Sequence, residues 1–125
     1  MYQKETREKV FLNFSNHPSD SWTDAQTKAA LENADRIVDI PFPPVNPAMD
    51  ETALDSLAEE MTKQILSYSP VTVMCQGEFG LSFSVIKKLL AKGVTVVHAC
   101  SERKVHVNGN IKTVQFDFVQ FRKFM

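Results

Sequence analysis

Two polar stretches of this chain carry side chains suited to holding an anion: Asn13, Ser15, Asn16 and His17 in one, Gln76-Gly-Glu-Phe-Gly80 in the other. The second follows Val71–Cys75, a run of β-formers, and precedes a helical pattern. Open α/β sheets hold ligands at the carboxyl ends of their strands, and the start of the next helix offers backbone N–H groups to an anion. The pattern points to a phosphate-bearing ligand. Gly77 and Gly80 permit close approach and positive φ, although a tight strand-to-helix turn needs glycine for geometry alone. The stretch lacks the Lys and Ser or Thr of a GxxxxGK[ST] loop and is not GxGxxG. Glu78, a carboxylate inside the turn, weighs against an anion directly above it.

The amide, hydroxyl and imidazole groups of Asn13, Ser15, Asn16 and His17 suit hydrogen bonds to base edges, ribose or phosphate; they equally suit caps and Asx-turns. Ser15, His17 and Asp20 lie too close in one loop for triad geometry. Arg103 and Lys104 form the cationic pair nearest to a crevice between these loops, an Arg fork being a natural phosphodiester partner; the alternative is a solvated pair. Arg122 and Lys123 sit among Phe118, Phe121 and Phe124, a spacing that fits core or dimer packing. Cys75 and Cys100 lie in apolar strand ends and read as inert thiols. With no CxxC and no Cys or His at metal-ligand spacing, neither metal nor cofactor is implied.

At 125 residues, 43% hydrophobic and 23% charged, the chain can bury one core and is short for two, so one domain over 1–125 is expected. A net charge of -1 gives no global reason to bind duplex nucleic acid. The cysteine usage implies a reduced, cytoplasmic protein. The charged first ten residues do not read as a signal peptide, and no apolar run approaches the roughly 18 residues of a membrane span.

The elements that must position these residues alternate. Lys9–Phe14 reads as strand one, Trp22–Asn33 as helix one, Arg36–Ile40 as strand two, and Asp50–Ser67 as helix two, with Leu54, Leu57, Ala58, Met61, Ile65 and Leu66 on one face. Val71–Gln76 is strand three, Leu81–Lys92 helix three with Phe83, Ile86, Leu89 and Leu90 inward, and Val94–Cys100 strand four. Lys104–Val107 and Ile111–Phe118 flank the turn signal Asn108-Gly-Asn110. The expected fold is an α/β, Rossmann-like three-layer sandwich. Its core is a mainly parallel four-stranded sheet of order 2-1-3-4, with an appended C-terminal β-hairpin. Strands one and three are then adjacent, and Asn13–Ser21, Gln76–Gly80 and Ser101–Lys104 open onto one crevice.

Three segments, Phe11-Leu-Asn-Phe-Ser-Asn-His17, Met74-Cys-Gln-Gly-Glu-Phe-Gly80 and Cys100-Ser-Glu-Arg-Lys104 with the following hairpin and Phe118-Val-Gln-Phe-Arg122, resemble the small Rossmann-like accessory proteins of type III CRISPR systems, the ring-nuclease group. The resemblance implies a homodimer that binds cyclic oligoadenylate, cyclic tetra-adenylate above all, and either sequesters it or opens it without metal by in-line attack of a ribose 2′-hydroxyl. It implies His17, Ser15 and Arg103 as the reacting set, with His17 as acid or base and Arg103 as charge stabiliser. Asn13, Asn16, Gln76, Gly77, Glu78, Phe79, Gly80, Ser101 and Lys104 become the ligand contacts. A partner-docking or other nucleotide-binding module of the same fold is the alternative.

Overall fold

A computed structural model describes residues 8–125; the charged opening, read against a signal peptide, lies largely outside them. Five strands, β1 (Val10–Ser15), β2 (Arg36–Pro41), β3 (Thr72–Gln76), β4 (Thr95–Asn108) and β5 (Ile111–Lys123), form one sheet of order β2-β1-β3-β4-β5. The first four run parallel and β5 returns antiparallel to β4. Three helices connect them: α1 (Asp24–Ala30), α2 (Glu51–Leu66) and α3 (Phe79–Ala91). The protein is therefore α/β with a mixed five-stranded sheet.

Alternation along the strands sends side chains to two faces. Leu12, Phe14, Val73 and Cys75 face α2 and α3, joining Ala58, Ile65, Leu81, Val85 and Leu89 in the larger core. Phe11, Met74 and Val97 face α1 and meet Ala30, Trp22 and Phe121 in a smaller one. α2 matches its periodicity, and Asp50 caps it by accepting the Ala53 N–H at 2.8 Å. α3 begins two residues earlier than expected and buries Leu81, Val85 and Leu89, an i, i+4, i+8 stripe that leaves Phe83 exposed. Gly93 closes it in the left-handed region, φ 76°, as a C-terminal cap.

The four-strand core with an appended hairpin needs correcting. Strand four does not end at Cys100; it runs unbroken to Asn108 and is itself one arm of the hairpin, so Ser101–Lys104 is strand rather than loop. β3 pairs with β4 only as far as Val97. Beyond that point the Gln76 side-chain oxygen accepts the Ala99 N–H in place of a backbone partner, and β4 continues with β5 alone. A charged stretch survives in strand because both faces there are open to water. Gly109, φ 63°, opens the two-residue turn between Asn108 and Ile111. On β5 one residue, Val119, is skipped, since Cys100 pairs with Gln120 and Ser101 with Phe118. Among the described residues no helix is long and apolar enough to cross a membrane.

Candidate functional site

The β1 exit is built on Asn13, a polar residue between Leu12 and Phe14 and only 1% exposed. Its amide nitrogen donates to the His17 carbonyl at 2.8 Å and to Asp39 Oδ1 at 3.0 Å, and its oxygen accepts from Ser15 Oγ at 2.7 Å. Ser15 Oγ in turn accepts the His17 N–H at 3.1 Å. Asp39 uses its other oxygen to accept from the Ser19 N–H and hydroxyl, at 3.1 and 2.9 Å. The Trp22 indole N–H reaches the same His17 carbonyl at 3.1 Å. Both buried side chains are thus spent on folding the loop, and the loop holds Trp22 and His17 at one rim of a cleft.

That cleft, about 540 Å³, lies on the α1 face at the carboxyl ends of β1 and β3, beside the stretch of β4 at Ala99 and Ser101. His17, Trp22, Gln26, Gln76, Ser101 and Phe118 are among its walls, with Met74 and Ala99 beneath and Phe116 at the arm side. Gln76 keeps its amide NH2 without a partner among the described residues, as does the Ser101 hydroxyl. The register sets Arg103 opposite Phe116, on the face that carries the cleft. Aromatic surface, neutral hydrogen-bonding groups and one guanidinium are what a planar, anionic ligand needs.

The remaining candidates stand elsewhere. Asn13, Ser15 and Asn16 border a groove on the β2 side with Pro18, Asp39 and Phe42. Gly77 and Phe79 open toward α3, on a hollow shared with Cys75, Phe83, His98 and Phe124. Lys104 projects from the face opposite Arg103, and its ammonium sits 2.9 Å from Asp117; the hydrogen bond to Asp117 raises the lysine pKa, and its counterpart lowers that of Asp117.

The glycine turn has a packing explanation. A Cβ on Gly77 would overlap the Phe42 ring, and one on Gly80 would come within 3.0 Å of Leu54. Gly77 is not at positive φ, so close approach is what the position requires. Glu78 caps α3 by accepting the Leu81 N–H at 2.7 Å, occupying with its own carboxylate a donor that an incoming phosphate would use. Sequence reasoning missed Asp39, Trp22 and Phe116. The first was findable, because Asp39 stands at the same position of β2 as Asn13 does of β1, and parallel pairing sets them side by side.

An α/β protein with a ligand-sized cleft at the carboxyl ends of its parallel strands is the class these features define. A family model described as the uncharacterized protein MJ1673 family matches residues 9–122, and the chain belongs to that family. None of the curated proteins compared with the chain matches it.

Proposed function

We propose that this chain is a Rossmann-like nucleotide-binding protein and that its ligand is a small oligonucleotide of the cyclic oligoadenylate kind implied by the sequence resemblance. One observation carries the reading: Trp22, Phe116 and Phe118 surround a cleft whose polar walls are Gln26, Gln76, Ser101 and His17. Bases stack on the aromatic rings, each contact of that type contributing about 1 to 3 kcal/mol. Gln76 and Ser101 meet ribose or base-edge groups, and Arg103 neutralises a phosphodiester. Neither the Gly77–Gly80 turn nor Lys104 is needed for this pose, since both point away from the cleft.

Binding is the primary reading because Ser15 is buried and already hydrogen bonded. Cleavage is supported by one feature, the presence of His17 among the residues of the cleft wall. In that case the imidazole accepts the 2′-hydroxyl proton as the oxygen attacks the adjacent phosphorus. The 5′-oxygen leaves with a proton, and a 2′,3′-cyclic phosphate end remains.

Equilibrium binding of cyclic tri-, tetra- and hexa-adenylate in EDTA, with products separated by chromatography, tests both. Arg103→Ala is expected to weaken binding roughly tenfold to a hundredfold, and Trp22→Ala to weaken it comparably. His17→Ala is expected to slow any cleavage while sparing affinity. Absence of binding to every ring size sinks the proposal; tight binding with intact ligand selects sequestration.

A further inference from the structure

The side of the sheet turned away from the cleft carries a second hollow, about 370 Å³, between the carboxyl end of β3, the first turns of α3 and the residues just past β5. One wall is a stripe of α3. Phe79, Phe83 and Ile86 recur at i, i+4 and i+7 beside the buried stripe of Leu81, Val85 and Leu89. Phe79 is 89% and Phe83 63% exposed, so the helix shows water two rings that its own core does not use. The other wall is Phe124. Its N–H donates to the Val96 carbonyl at 2.9 Å, and its ring packs on His98 with centroids 4.9 Å apart. Cys75 and Ser82 close the base.

Charge and size together say what fits. Arg122 stands opposite His98 in the β4–β5 ladder, and directly opposed residues project to the same face, so the guanidinium rises at the edge of the hollow. It forms no ion pair among the described residues. Lys87 lies 5.7 Å from the centroid of the Phe83 ring. Glu78, the carboxylate between Gly77 and Phe79, is folded back onto the Leu81 N–H. A dianionic phosphate would meet Glu78 at the start of α3, whereas a monoanion at the Arg122 end avoids it. Two phenylalanine side chains offer at most about 500 Å², short of the roughly 800 Å² per partner of a stable protein interface. A concave space of this volume suits a small molecule.

We propose that this hollow is a second ligand site, separate from the cleft, and that it takes a small apolar acid: an alkyl or aryl body between Phe79, Phe83 and Phe124, with its carboxylate toward Arg122 and His98. The site gives a use to the turn after β3, whose exposed Phe79 the cleft leaves idle. It draws on none of the groups assigned to the cleft ligand and stands or falls without that ligand.

Decanoate and naphthoate are the probes, with decanol and naphthalenemethanol as uncharged counterparts, titrated by calorimetry and by displacement of anilinonaphthalene sulfonate. Each acid is expected to bind roughly fivefold to tenfold more tightly than its alcohol, and the tighter of the two acids tells whether the body is alkyl or aryl. Arg122→Gln is expected to erase the difference between acid and alcohol. Phe83→Asp is expected to abolish binding of all four, with melting close to wild type because the ring is exposed. In wild type, amide shifts on adding either acid should cluster at Gly77–Ile86 and His98, and the emission of Trp22, the one tryptophan, on the other side of the sheet, should not change. Failure of both acids to bind overturns the proposal. So do shifts confined to the α1 side, or an acid preference that survives Arg122→Gln.

Discussion

Asn13 and Asp39 face each other across the β1–β2 ladder, amide to carboxylate at 3.0 Å, and between them they hold the β1 exit loop through His17 and Ser19. Asn13→Ala strips partners from the His17 carbonyl and the Ser15 hydroxyl at a buried site, at an expected cost of about 2 kcal/mol. Asp39→Ala should cost about half as much, because Asp39 is exposed and water replaces it. Urea unfolding of both single variants and the double variant measures this, and strict additivity would deny the coupling.

Gly77→Ala drives a methyl group into the Phe42 ring, which is stacked on Phe14 with centroids 4.6 Å apart. The expected loss is about 1 to 3 kcal/mol. Phe42→Leu, destabilising by itself, should recover part of that loss in the Gly77→Ala background. A neutral Gly77→Ala would mean that close approach is not what the position requires.

Burial pushes the Cys75 thiol up to about 12 from 9.0. The thiolate is the nucleophile, so a maleimide or iodoacetamide at mildly alkaline pH should label half-buried Cys100 and spare Cys75 until the protein unfolds. Peptide mass mapping reads this out. The raised value also means that the folded state keeps its proton longer than the unfolded chain does. Stability from this group is complete below 9.0 and is lost as pH climbs toward 12.

Asp55 and Asp117 shift the other way. Hydrogen bonds to Lys88 and Lys104 hold their carboxyls below the ordinary 3.8, so the folded state favours the ionised forms. Their contribution is present above 3.8 and fades as pH falls through the lower folded values. Lys104 and Asp117 are open to solvent and Asp55 is exposed beside a half-buried Lys88, so the acid-side loss in melting temperature should be small at low salt and shrink further at high salt. Asp55→Asn and Asp117→Asn should each flatten it.

Much of this architecture was legible. α2 carries a heptad-like stripe that only one buried face explains, Asn108-Gly-Asn110 marks its turn, and strand alternation with helices puts β1 beside β3. The length of β4 was not legible, because periodicity reports burial and the arm is bare on both faces. The same limit hid the stripe of α3, where Leu81 and Phe83 are equally apolar and only packing against α2 decides between them. Phe42 lies 35 positions before Gly77, so no local pattern connects the ring to the glycine. The aromatic tail Phe118, Phe121 and Phe124, read as an exposed surface for a homodimer, is half-buried within the chain: Phe121 packs on Phe11 and Trp22, Phe124 on His98, and Phe118 on Phe121. In the cleft, Gln76, Ser101 and His17 came together, while the glycine turn went to the other side of the sheet.

Phe118 and Phe121 are three residues apart, an odd spacing that sends side chains to opposite sides of a regular strand, yet their rings lie 4.9 Å apart. The skipped Val119 accounts for it by resetting the parity of β5 midway. Above that residue the strand counts in step with the body; below it, the strand counts in step with the arm. Were Val119 paired with Ser101 instead of skipped, Phe118 would oppose Glu102 and Phe116 would oppose Lys104, both turned to the far side, with Phe121 left where it is. The aromatic wall of the cleft thus depends less on which residues β5 contains than on the one that it leaves unpaired.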